Sequence, residues 1–166
     1  MKFKEWVSQF VEEESKRGDL ARHLMEDNLF TNSLTTWGEA FYRLHIRGAS
    51  QKVTSVFSEV WRKYKAEHGE DIIYFELMDV DTNTYFSEFV TEKEAYQFFF
   101  KLESLGIEFD IISEPEGNIN DNDCDLFLIE LGRSLKSSHY SCLDEIVNEL
   151  NKFNNVVPFP LGKVTK

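Results

Sequence analysis

Residues 50–69 read SQKVTSVFSEVWRKYKAEHG, and their apolar positions Val53, Val56, Phe57, Val60, Trp61 and Tyr64 recur at the three- and four-residue steps of one helical face. Ser50 fits as the N-cap and Gly69 as the stop. A helix of this length must bury its stripe, and the chain changes character across it. Residues 1–66 hold 11 Lys and Arg against 9 Asp and Glu, a net +2, whereas residues 67–166 hold 7 against 21, a net −14. The sequence therefore predicts two units, 1–66 and 67–166, with nearly all of the acidity in the second. Such a half repels phosphate polymers and anionic membranes and attracts basic proteins.

A hydrophobic content of 42% with 14% aromatic residues is ample for packed cores and argues against disorder. Glu5 and then Glu12, Glu13 and Glu14 interrupt the apolar positions of the N-terminus, which does not resemble a signal peptide, and no apolar run reaches membrane-spanning length. The expectation is a cytoplasmic protein that does not engage membranes. Cys124 and Cys142 are too far apart for CxxC chemistry and too few for a disulfide framework, so both are expected reduced, with Cys142 packed on a helix.

In the first unit, Phe3, Trp6, Val7, Phe10 and Val11 predict a helix that closes near Arg17-Gly18. Asp19 is the expected cap of a second, short helix carrying Leu20, Ala21, Leu24 and Met25. Thr36 with Glu39 forms a capping box for a third, with Trp37, Phe41 and Leu44 inward and Gly48 near its end; residues 50–69 make the fourth. The reading is an all-α four-helix bundle.

These residues resemble the YozE-type, SAM-like (sterile alpha motif-like) helical domains. The resemblance lies in Phe3 and Trp6, the turn Gly18-Asp19-Leu20-Ala21-Arg22, the segment Glu26-Asp27-Asn28-Leu29-Phe30, and Phe57, Trp61 and Tyr64 on the last helix. Thr31 stands where that family usually has Pro. The resemblance covers residues 1–65; it implies a SAM-like fold and a setting in bacteria of the Bacillus and Staphylococcus kind and their mobile elements. No activity comes with it.

In the second unit, β-rich runs at 72–78 and 85–90 flank the turn residues 79–84, a hairpin pattern. Thr91 and Glu94 open a helix with Ala95, Phe98, Phe99, Leu102 and Leu105 inward and Gly106 as its stop. Residues 107–111 alternate as a strand with one wet face. A polar loop, 113–124, precedes the almost wholly apolar strand 126–131, whose composition predicts an interior place in the sheet. A last helix takes Tyr140, Leu143, Ile146, Val147 and Leu150 on one face with Ser138 or Ser141 as cap, and the apolar, proline-containing tail 156–161 reads as an extended strap. The fold expected of this unit is α+β in the order ββαββα, a four-stranded antiparallel or mixed sheet with two helices on one face.

No catalytic constellation stands out, and no cofactor is implied. Asp121, Asp123 and Asp125 have the opening spacing of a calcium loop, but Leu126 and Gly132 occupy the places of its Gly and Glu; Asp79, Asp81 and Asn83 fail in the same way. The four histidines show no zinc pattern, and Ser134, Ser137, Ser138 and Ser141 around His139 read as loop and cap residues. The leading expectation is a non-catalytic bacterial interaction protein that binds a protein partner through its acidic unit. Glu108, Asp110, Glu114 and Glu116 are the first group of partner-binding candidates, and Glu88, Glu92 and Glu103 the second. One specific form of that role is a DNA mimic whose carboxylates occupy the groove of a host nuclease or restriction enzyme. A different class of function, a nucleic-acid accessory factor, would use Lys16, Arg17, Arg22, Arg43, Arg47 and Lys52 of the helical unit. A metal-dependent hydrolase would need Asp121, Asp123 and Asp125 to hold a divalent ion and has the least support.

Overall fold

Hydroxyl side chains fix where the helices begin. Ser50 Oγ accepts from Val53 N–H, Thr36 Oγ1 from Glu39 N–H and Thr91 Oγ1 from Glu94 N–H, each satisfying an N–H that the first helical turn leaves without a partner. Ser15 is a fourth such cap, and it alters the reading of the first unit. In the computed structural model, which describes residues 1–115 and 126–155, helix α1 (Phe3–Ser8) ends early, the chain turns, and α2 (Lys16–Glu26) begins after Ser15, whose Oγ accepts from Gly18 N–H at 3.1 Å. Gly18 is thus a helical residue and not a stop, and Asp19 lies inside the first turn and not at its cap. A Cβ at position 18 would sit 1.8 Å from the carbonyl oxygen of Glu13, so only glycine lets the preceding turn fold down onto α2.

Helices α3 (Trp37–Ile46) and α4 (Gln51–His68) complete the N-terminal helical region. Its core gathers around Phe3, whose ring lies 4.8 Å from Trp61, 5.3 Å from Tyr64 and 5.6 Å from Phe57, with Leu24, Phe30 and Leu44 closing the cluster. Asp27, buried at the end of α2, accepts two hydrogen bonds from Arg43 and a third contact from Arg47, tying α2 to α3.

A four-stranded mixed sheet with helices follows, an arrangement compatible with two units. Strands β1 (Ile72–Asp79) and β2 (Thr84–Thr91) pair antiparallel; α5 (Glu92–Ser104) leads to β3 (Phe109–Ser113), then β4 (Leu126–Leu131) and α6 (Leu143–Asn155). The order across the sheet is β2-β1-β4-β3, with β4 parallel to β1 and antiparallel to β3, so the apolar β4 is an interior strand. β3 starts two residues later than alternation alone indicates. Gly106, at φ 69°, donates to Glu103 O and Ile107 to Leu102 O, a closing motif of α5 that uses Ile107 as its apolar plug and delays the strand. Ile73, Phe75 and Leu77 of β1 and Phe127, Ile129 and Leu131 of β4 face a second core built with Tyr96, Phe98 and Leu102 of α5 and Ile146 and Leu150 of α6.

Tyr140 lies before α6 and not on it. Its ring packs against Tyr85, its N–H donates to Tyr85 O, and its hydroxyl meets Glu149, so it serves to fasten the incoming loop to β2. Cys142 is exposed, contrary to the packed position expected from the helical pattern, because the helix begins after it. Ser141 donates to Glu145 and orders the start of α6. Residues 116–125, which include most of the polar loop, and the tail 156–166 lie outside the described residues.

The two cores meet at α4. Tyr64 belongs to the first and Ala66 to the second, and α4 packs along α5. Gly69 makes this approach possible, since a Cβ there would come within 2.6 Å of both Glu92 Cβ and Lys65 O. Along the seam Arg62 forks onto Glu114 at 2.9 and 2.8 Å, Lys65 meets Glu92 at 3.0 Å, and Gln97 donates to Ala66 O.

Candidate functional site

The antiparallel pairing of β3 with β4 places Asp110 directly opposite Glu130. With Glu103 from the last turn of α5 and Glu108 from the residue just before β3, they line one cleft of about 510 Å³ whose apolar wall includes Val80, Ile107 and Phe109. Like charges facing each other across a ladder oppose pairing. Among the described residues, none of these four carboxylates is held in a salt bridge. The cleft therefore concentrates negative charge at the β3 edge with no ion pair to it among the described residues, although Glu103 also lies within the electrostatic reach of Arg62.

Three of the expected partner-binding residues, Glu103, Glu108 and Asp110, meet here. Glu130 was missed in the sequence, although it is the one charge in the otherwise apolar strand LFLIEL; only the β3–β4 pairing shows that it joins the others. Glu114 and Glu92 go elsewhere. Both turn toward α4, Glu114 to Arg62 and to the Tyr96 hydroxyl, Glu92 to Lys65 and the backbone N–H of Asp71, so neither presents a free carboxylate to a partner. Burial pushes the Glu92 carboxyl up despite the neighbouring Lys65 ammonium, and burial followed by the charge of Glu114 pushes the Tyr96 phenol well above its ordinary range. Glu88 lies in a different cleft, between β2, α5 and the start of α6, where Lys101 also stands. Glu116 lies outside the described residues. The six described candidates therefore do not form one continuous acidic strip.

The basic candidates are mostly balanced where they stand. Arg17 pairs with Glu13 and lies 3.7 Å over the Phe10 ring, Arg22 pairs with Asp19, and Arg43 and Arg47 converge on Asp27. Lys16 and Lys52 flank a shallow apolar groove formed with Leu20, Val53 and Val56, with Asp19 also at its wall. Arginines committed to carboxylates leave less uncompensated charge for phosphates than the sequence count implies.

The hairpin acids serve the turn. Asp79, fully buried, accepts from the Asn83 side-chain amide, the hydroxyls of Tyr85 and Ser134, and the N–H groups of Asn83 and Asp81; the bonds from the Asn83 amide, Tyr85 and the two N–H groups hold its carboxyl down at about 2. Its oxygens are occupied by the chain itself, and Thr82, at φ 64°, completes the tight turn. Asp121, Asp123 and Asp125 lie outside the described residues; among the described ones no group of three His, Cys, Asp or Glu could hold a metal ion. Ser137 donates to the backbone carbonyl of His139 and not to its ring, an ordinary loop contact.

Compared with protein-family models, curated proteins and solved structures, the chain matches none. No helix among the described residues is long and apolar enough to cross a membrane.

Proposed function

We propose that the protein is a non-catalytic, cytoplasmic interaction protein of bacterial origin that binds a basic protein partner through its acidic C-terminal unit. In this reading residues 1–66 form a YozE-like, SAM-like four-helix bundle and residues 67–166 a ββαββα unit with its two helices on one face. The observation that carries it is the opposition of Asp110 and Glu130 across the β3–β4 ladder, joined by Glu108 and Glu103, with no salt bridge to any of them among the described residues. A fold gains nothing by facing two carboxylates in this way, whereas a Lys- or Arg-bearing partner relieves their repulsion on binding. Such a surface steers association and gives salt-dependent affinity.

The test uses the full chain immobilised in nuclease-treated bacterial lysate at low and high salt, beside a Glu108→Lys/Asp110→Lys variant. The expected result is a discrete protein retained at low salt, shed at high salt and lost with the variant. Equal retention by the variant would show that this cleft is not the binding surface. If neither form retained a protein, the acidity would be a solubility device.

A further inference from the structure

Strand alternation gives the sheet a second face, opposite the core. β1 sends Ile72, Tyr74, Glu76 and Met78 to it, and the register sets Phe89 beside Tyr74 on one flank and Leu126 on the other, with Ser87 and Leu128 flanking Glu76. Ile72, Tyr74, Met78, Phe89, Leu126 and Leu128 belong to neither core; Ile72 is 61% and Phe89 58% exposed. The Tyr74 and Phe89 rings meet edge to face at 5.1 Å, and the Tyr74 hydroxyl is satisfied by Ser87 on the sheet itself. Tyr74, Met78, Leu126 and Leu128 are half-buried among their strand neighbours, and no helix among the described residues packs over this face, so the apolar side chains gathered here mark a contact surface.

Its charge selects the contact. None of the four strands contains a Lys, Arg or His, whereas Glu76 stands in the middle of this face and the Glu130–Asp110 pair at its end. Glu76 has no salt bridge among the described residues. Strands about 4.8 Å apart, with alternate residues about 7 Å apart along each, make the apolar part roughly 14 Å on a side, which one helix about 10–12 Å across covers. A face of side chains offers no backbone hydrogen bonds, which favours a helix laid on it over an added strand.

We infer that this face docks an amphipathic helix of a partner protein, with its apolar stripe on Tyr74, Phe89, Leu126 and Leu128 and its flanking Lys or Arg residues on Glu76, Glu130 and Asp110. The inference rests on the proposed reading of a basic partner and adds the face and the partner element. The probe is a designed Leu/Lys peptide of about five helical turns, titrated calorimetrically into the full chain, with a scrambled peptide of the same composition as control. Binding should fall about tenfold or more with Ile72→Ser/Phe89→Ser, two exposed positions whose exchange spares the cores, and about threefold with Glu76→Gln; the scramble should bind about tenfold more weakly. Glu103→Gln/Glu108→Gln, in the cleft but off this face, should change it less than about twofold. Binding lost only with Glu103→Gln/Glu108→Gln would overturn the docking face and leave the acidic-cleft reading standing. Indifference to Ile72→Ser/Phe89→Ser, or no binding of the peptide, would overturn it as well. So would tighter binding on removal of residues 156–166, which would make the chain's own tail the occupant. A dimer in sedimentation that Ile72→Ser/Phe89→Ser dissociates would assign the face to a second copy and overturn it too.

Discussion

Replacing Arg62 should do more than remove one ion pair, because Arg62–Glu114 is the most elaborated polar contact between the two cores. The guanidinium donates twice to the carboxylate at 2.9 and 2.8 Å, the Tyr96 hydroxyl donates to the same carboxylate at 2.9 Å, and the side chains are only 30% and 25% exposed. Hydrogen bonds to charged groups contribute about 1.5–3 kcal/mol, and partial exposure with solvent screening places this fork at or below the least that two of them would sum to. Arg62→Ala is expected to cost about 2–3 kcal/mol, Glu114→Ala a similar amount because it strands both Arg62 and Tyr96, and the double variant about 3 kcal/mol. The coupling is then about 1–3 kcal/mol, and each single change lowers Tm by about 4–12 °C for a chain of this size. The assay can also localise the effect. Trp6, Trp37 and Trp61 all lie in the first unit, so tryptophan fluorescence follows the helical region alone while circular dichroism follows the whole chain. The two should melt together in the parent protein and separate in Arg62→Ala, since loss of the seam uncouples the cores. Additive single costs, with coupling below about 0.5 kcal/mol, would refute the reasoning, as would transitions already separate in the parent.

Two further outcomes follow from buried groups. Gly18→Ala should destabilise strongly, by more than the gain of about 1 kcal/mol that alanine ordinarily brings to a helix interior, because its Cβ would meet the Glu13 carbonyl at 1.8 Å; denaturant unfolding that showed equal or greater stability would contradict the tight turn before α2. In acid, Asp27 and Asp79 are each held at about 2 against an ordinary 3.8, so the stability they supply is complete above about 3.8 and lost as pH falls toward 2. Glu92, with its carboxyl raised by burial, works in the opposite direction: the folded chain binds that proton more readily than the unfolded one, so stability rises as pH falls toward 4.5. Thermal melts across this range should therefore show a steep loss confined to the lower interval, and Asp79→Asn should lower Tm at neutral pH while flattening that acid limb; an unchanged limb would count against the role given to Asp79.

The sequence was most informative where structure is decided within a few residues. A hydroxyl with a free N–H three positions on marks a helix start, so Ser50, Thr36 and Thr91 could be recognised as caps. The same rule could have found Ser15, but the apolar spacing of Phe10 and Val11 continued the first helix past the point where the chain turns. Periodicity records which residues are buried; it does not record whether the backbone between them stays helical. Tyr140 misleads for the same reason, buried like the residues of α6 but by contact with Tyr85.

Long-range pairing explains what the sequence hid about the site. Glu103, Glu108 and Asp110 lie close along the chain, yet the sequence reading divides them between its two groups of candidates; the fold brings them into one cleft, and Glu130 joins them only through the β3–β4 ladder. Glu92 and Glu114 look like any other acids of the second unit, yet their cationic partners are 27 and 52 residues away on α4. The net charge therefore overstated the surface available to a partner: part of the acidity joins the sheet unit to the slightly basic helical one. The same charge difference that divides the chain in sequence helps hold its parts together in the fold. A partner that competed for Glu114 would have to break that seam first, whereas one that used Glu130, Asp110 and Glu76 would leave it intact, and this makes the strand carboxylates the cheaper point of attachment.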